Sequence, residues 1–166
     1  MMKPQRIEPK PGQESVWDYP RPPRLEDSKK HIQVIFNCET IVDTRNAKRI
    51  LETSHPPVYY IPPGDIKMEY LMTQTSQSSF CEWKGNAKYY NLYVGDREIE
   101  NAAWFYPEPT PRFTSIKNYV AFYAHKMDAC YVDREKVTPQ PGNFYGGWVT
   151  SDIIGPFKGV PGSWGW

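Results

Sequence analysis

Along most of this chain, apolar and polar residues alternate with the period of a strand that buries one face. In residues 31–36, Ile32, Val34 and Phe36 share one face. Asn37-Cys38 follows, at the place where a two-residue hairpin turn favours Asn-Gly, and residues 40–43 return as the second strand. Residues 88–94 and 97–103 flank Gly95-Asp96 and give the clearest hairpin signal in the chain. Residues 58–61 predict another strand. Residues 69–73 read as extended, 74–79 as polar and irregular, and 80–83 as buried. Residues 116–123 read as a helical turn entering a strand, which 129–132 pairs with or follows. One segment departs from the period. Thr44 can cap a short helix running to about Thr53, with Ala47, Ile50 and Leu51 on one face. Asp65 can cap a single helical turn. The predicted class is mainly β and mostly antiparallel, with one or two short helices.

Prolines fix one strand and dominate both ends. Pro56-Pro57 and Pro62-Pro63 bracket Val58-Tyr59-Tyr60-Ile61, and each proline biases its predecessor to extended geometry. His55 stands at the mouth of this segment. Residues 1–30 hold six prolines and many charges, yet carry Trp17 and Tyr19, so they predict an extended strap on this subunit or a neighbour. In residues 141–166, ten of 26 are Gly or Pro, with Trp148, Phe157, Trp164 and Trp166 spaced between them. The predicted organisation is an N-terminal strap over 1–30, a β domain over 31–140 and a C-terminal strap over 141–166.

Composition narrows the function classes. The 20 basic and 19 acidic residues leave a net charge of +1, so there is no bulk field to attract nucleic acid or an anionic membrane. No window holds the ~18 apolar residues that span a bilayer, and the polar N-terminus leads into no apolar signal region. Cys38, Cys81 and Cys130 are odd in number and far apart, which predicts reduced thiols in the cytoplasm. Twelve Tyr and six Trp suit half-buried positions, where one end of the ring system stays polar.

Five segments together resemble the bacterial proteins of domain-of-unknown-function family 427. They are Val34-Ile35-Phe36-Asn37, Leu51-Glu52-Thr53-Ser54-His55-Pro56-Pro57-Val58-Tyr59-Tyr60, Cys81-Glu82-Trp83-Lys84-Gly85, Ala102-Ala103-Trp104-Phe105-Tyr106-Pro107 and Tyr119-Val120-Ala121-Phe122-Tyr123. They span about residues 31–137 in order, and the aromatic ends resemble those of a longer form. Cys38 stands where the family usually has Gly. The resemblance implies a β-tent, two antiparallel sheets meeting at an angle with a groove between them, as in the thalidomide-binding domain of cereblon and the B-type methionine sulfoxide reductases. It implies no established activity. The nucleotidyltransferase-like label sometimes given to the family finds no support here. That chemistry needs a Gly-Ser turn followed by paired carboxylates for Mg²⁺, and the only Gly-Ser is Gly162-Ser163.

Four kinds of chemistry compete for the groove. A zinc site wants paired Cys or His knuckles, and this sequence offers none, so neither metal nor cofactor is expected. Cys81, with Lys84 near it, is a candidate nucleophile, against the plainer reading of a buried thiol. Tyr59, Trp83, Tyr89, Trp104 and Tyr106 predict an aromatic-lined pocket with His55 and Lys84 as polar anchors, against the plainer reading that the rings pack the sheets together. The aromatic ends can bind a second copy or cover their own subunit. The reading carried forward is a non-enzymatic domain binding an unidentified small molecule through His55, Tyr59, Trp83, Lys84, Trp104 and Tyr106, with a homodimer possible. The alternatives are a Cys81-dependent enzyme and a structural protein self-associating through its ends.

Overall fold

The computed structural model describes residues 4–166, so the first three residues of the predicted N-terminal strap lie outside it. In chain order the strands are β1 (Glu14–Ser15), β2 (Arg24–Asp27), β3 (Ile32–Phe36), β4 (Glu39–Thr44), β5 (Lys48–Leu51), β6 (Val58–Tyr60), β7 (Leu71–Cys81) and β8 (Gly85–Val94). They continue with β9 (Arg97–Phe105), β10 (Val120–Phe122), β11 (Ala129–Val132), β12 (Glu135–Lys136), β13 (Thr138–Pro139), β14 (Trp148–Val149) and β15 (Ile153–Ile154). The helical segments among the described residues are 3-10 turns of three to six residues, such as Pro63–Asp65 and Pro111–Ile116. No helix among them is long and apolar enough to cross a membrane.

Antiparallel pairing builds the body. One sheet runs β12-β11-β3-β4, a second β10-β9-β8-β7 and a third β2-β5-β6. The proline-bracketed segment joins the last two, because Ile61 and Val120 exchange two backbone hydrogen bonds, each 2.9 Å. The result is a continuous run β2-β5-β6-β10-β9-β8-β7. Strand alternation then divides its side chains. Tyr59, Ile61, Val120, Phe122, Leu92 and Ala103 join Val34, Phe36 and Cys130 of the other sheet in the main core. Ile50, Tyr60, Ala87, Trp104, Tyr106 and Ala121 form a second apolar cluster.

The helix expected over 44–53 is instead strand β5, an interior strand paired with β2 on one side and β6 on the other. Ala47, Ile50 and Leu51, which a helix would place on one face, go to three separate apolar clusters. In-register charge favours the strand: Asp27 lies opposite Lys48 at 2.5 Å, and Glu26 opposite Arg49 at 2.6 Å. The segment read as buried over 80–83 is only partly so: Phe80 is 73% exposed on the outer strand β7, while Cys81 and Trp83 are half-buried against the second cluster.

The β3–β4 turn adopts left-handed geometry at both central residues, with φ 48° at Asn37 and 64° at Cys38. Asn tolerates this region, whereas Cys38 carries a Cβ penalty. Cys38→Gly is therefore expected to raise stability by about 1 kcal/mol in denaturant unfolding; a loss of stability would show that the turn is not strained.

Both terminal segments pack against the body of the same chain. β1 pairs in parallel with β15, Trp17 donates from Nε1 to the Pro156 carbonyl at 2.9 Å, and Trp17 meets Trp166 edge-on at 5.6 Å. β14 pairs with β13 and delivers Trp148 into the main core. Arg49 holds the N-terminal segment through Glu14 at 2.7 Å, and Glu14 also accepts from the Tyr19 hydroxyl at 2.6 Å.

Candidate functional site

A cavity of about 560 Å³ opens beside the second apolar cluster. Its floor comes from alternate positions of the long sheet: Val58 and Tyr60 on β6, Ala87 and Tyr89 on β8, Trp104 on β9 and Tyr106 just beyond it. The β7–β8 turn brings Cys81, Trp83 and Lys84 to one side. Two hydrogen bonds tie this turn to the proline-rich loop, from Thr110 Oγ1 to the Trp83 carbonyl at 2.6 Å and from the Thr110 amide to the Lys84 carbonyl at 3.0 Å. Glu52 and His55 stand on another side, at the entrance to the proline-bracketed strand. Gln140, Phe144, Tyr145, Gly146 and Lys158 of the C-terminal segment make the rim. Gly146 is required there, since a Cβ would overlap the Trp104 indole.

The aromatic walls are mutually fixed. Trp104 donates from Nε1 to the Tyr60 hydroxyl at 3.3 Å and lies 4.5 Å from the Tyr123 ring, centroid to centroid. Tyr145 meets His55 edge-on at 5.0 Å. Tyr89 shares a hydrogen bond of 2.7 Å with Ser79 Oγ. Burial pushes the phenols of Tyr60, Tyr106 and Tyr123 above the ordinary tyrosine range, so all three are neutral at physiological pH.

His55 is set by its neighbour. Gln140, only 3% exposed, accepts from the Gly147 amide at 3.0 Å and donates to the Lys158 carbonyl at 2.9 Å. Those two backbone groups fix which end of the amide carries nitrogen, and that nitrogen lies 3.1 Å from His55 Nδ1. Nδ1 must therefore accept, so the ring proton sits on Nε2. Nε2 is 3.7 Å from Glu52 Oε2, too far for a hydrogen bond. Burial, with the charges of Lys158, Arg21 and Lys84, lowers the His55 pKa to about 3. His55 is thus a neutral ring whose polar N–H is on Nε2.

Lys84 is half-buried. Burial alone would favour the amine, but Tyr60, Cys81 and Glu52 act the other way and the net shift is upward, so Lys84 is an ammonium. Cys81 is within its hydrogen-bonding reach. Asn101 lies in the same wall with φ 50°, and its buried Oδ1 has no partner among the described residues.

The structure brings His55, Trp83, Lys84, Trp104 and Tyr106 to one cavity, with Cys81 beside them. Tyr59 is elsewhere: it is 2% exposed and packs against Trp148 at 5.4 Å in the main core. Its neighbour Tyr60 takes the place on the cavity face. Trp104 and Tyr106 are buried and hold the second cluster together, so they are structural as well as lining. Cys130 is buried, which raises its thiol pKa, and Cys38 is exposed. Among the described residues no three His, Cys, Asp or Glu side chains gather in a way that could hold a metal ion. The lining residues absent from the sequence reading include Tyr60, Tyr123, Gln140, Tyr145 and Lys158. Strand alternation could have found the first two; the others come from a segment with no local periodicity.

These features define a mainly β protein with an aromatic-walled cavity on its long sheet. The chain belongs to the family described as domain of unknown function (DUF427), which it matches over residues 24–133. No curated protein matches the chain. The match takes in the cavity floor and the β7–β8 turn and stops short of the rim at Gln140, Phe144, Tyr145 and Lys158.

Proposed function

We propose that the chain is a non-enzymatic β-tent domain whose cavity holds a small planar molecule between its aromatic walls. The observation that supports this is the convergence of Trp83, Tyr89, Tyr123 and Tyr145, from three separate stretches of chain, on one opening already floored by Trp104 and Tyr106. Rings so placed offer flat faces and fixed hydroxyls, the usual make-up of a small-molecule site. A cavity of about 560 Å³ suits a ligand of one or two rings.

Trp104→Ala would remove a buried support of the second cluster, so the informative variant is at half-buried Trp83. Thermal unfolding with indole, benzamide, nicotinamide and adenosine tests the reading. At about 100 times its dissociation constant a bound compound adds roughly 2.7 kcal/mol, or about 5–10 °C for a chain of this size. Trp83→Ala should abolish that shift while leaving the unliganded midpoint within about 2 °C. A shift that survives both Trp83→Ala and Tyr145→Ala would place binding elsewhere and end the proposal.

A further inference from the structure

The cations around the cavity are not equivalent. Lys126 donates to the Glu100 and Asn101 carbonyls at 3.1 and 3.0 Å and lies over the Tyr123 ring. Lys158 donates to the Trp166 carbonyl at 3.3 Å and lies over Tyr145. Arg21 is committed to Glu52 at 3.4 Å and to the Thr53 carbonyl at 2.9 Å. Lys84 differs. Among the described residues it has no carboxylate within ion-pair distance, and the partner in its reach is the weakly accepting Cys81 thiol. Its spare N–H groups are open to the cavity, where a bound acceptor can take them.

A second donor serves the same cavity. The buried Gln140 amide forces the proton of His55 onto Nε2, and Nε2 donates to no residue described. Three backbone donors near the rim are already used: the Gly147 amide goes to Gln140, the Lys158 amide to the Ser54 carbonyl and the Gly159 amide to Ser163. The site therefore offers one ammonium without an ion-pair partner and the neutral His55 N–H beside hydroxyl-bearing aromatic walls, with the Glu52 carboxylate close to His55. A phosphate dianion brings a second negative charge, for which the cavity has no second uncommitted cation, and it would be repelled the more by Glu52. A carboxylate carries one charge, matching the single ammonium that has no ion-pair partner.

We infer that the cavity recognises a planar aromatic or heteroaromatic carboxylate, its ring between the aromatic walls and its carboxylate on Lys84, with His55 Nε2–H as the second donor. This rests on the binding function proposed above and narrows its ligand class. The acid is bound without a covalent step, and Cys81 serves only as a neighbour of Lys84.

Matched pairs test it on the full-length protein. Benzoate, nicotinate and indole-3-carboxylate are titrated at millimolar concentration against benzamide, nicotinamide and indole-3-carboxamide, read by ligand-observed NMR and calorimetry. The expected result is that at least one acid binds about tenfold or more tightly than its amide. Lys84→Met should erase that preference, Lys84→Arg should restore part of it, and Cys81→Ser should leave it intact. Cys81→Ser also guards against misreading Lys84→Met as a folding defect, since it disturbs the same turn without removing the charge. Acids and amides binding equally would overturn the carboxylate while leaving the binding function standing. Adenosine monophosphate binding through Lys84, with every carboxylate silent, would overturn it in favour of a phosphate. Silence from every compound, neutral or charged, would overturn both.

Discussion

Trp148→Ala is expected to lower the unfolding free energy by about 3–5 kcal/mol, the range for removing a large aromatic from a packed core. Trp148 is 2% exposed, although it stands in a Gly- and Pro-rich segment with no strand periodicity. Its indole donates to the Phe122 carbonyl at 3.0 Å and tilts against Tyr59, and its amide donates to the Pro57 carbonyl at 2.9 Å. Truncation would open a cavity in the main core and leave the Phe122 carbonyl without this donor, so two costs add. For a chain of this size the midpoint should fall by about 10 °C or more. Trp164→Ala is the control: Trp164 is 82% exposed, and its loss should cost no more than about 0.5 kcal/mol. If the two variants unfold alike, the C-terminal segment is not part of the core.

Acidification should destabilise the protein well above the range where carboxylates titrate. The cause is His55, whose pKa falls from 6.5 to about 3 through burial and the charges of Lys158, Arg21 and Lys84. Below pH 6.5 the unfolded chain takes up a proton on this ring that the folded protein refuses. Stability is therefore full above pH 6.5 and drains as pH falls toward 3. Between pH 7.5 and 5 the loss should reach about 2 kcal/mol, and by pH 3 roughly 4–5 kcal/mol. Glu14 and Asp152 act lower on the scale. Burial raises each, but Arg49 and Tyr19 for Glu14, and Lys30 and Thr150 for Asp152, bring both below the usual carboxylate range. Their stabilisation is lost only as pH falls below about 4.5. His125 shifts in the same direction as His55, but it is exposed and contributes little. Urea unfolding at several pH values, repeated with His55→Asn, isolates the effect, because Asn can still accept from Gln140. A wild-type stability that is flat between pH 7.5 and 5, or a slope unchanged in the variant, would sink this account.

Where the sequence carries a local rule, the structure is legible in it. Gly95-Asp96 and Asn37-Cys38 mark hairpins because turn chemistry is local, and β8–β9 and β3–β4 form about them. The strand at 48–51 was opaque for a physical reason. An interior strand whose residues serve different clusters shows no clean alternation, and its apolar spacing imitates a helix face. Strand β2 was hidden in a proline-rich stretch, where its partner is set by charges on β5 that are remote in sequence. Tyr59 and Tyr60 differ by one step. Alternation says that one of them faces the cavity but not which, until the pairing with β5 fixes the register. Cavity residues within the sheets were within reach of sequence reasoning. Gln140, Tyr145 and Lys158 were not, because only the docking of Trp148 and its neighbours brings them to the opening.

That division of labour has a consequence for descent. The floor and the β7–β8 turn lie inside the stretch that identifies the family, while Gln140, Phe144, Tyr145 and Lys158 lie beyond it. A relative sharing only residues 24–133 would inherit the basin but not its mouth. It would lack the amide that orients His55 and the glycine that lies on Trp104. Selectivity could then diverge by exchanging one terminal segment, with no strand of the body replaced.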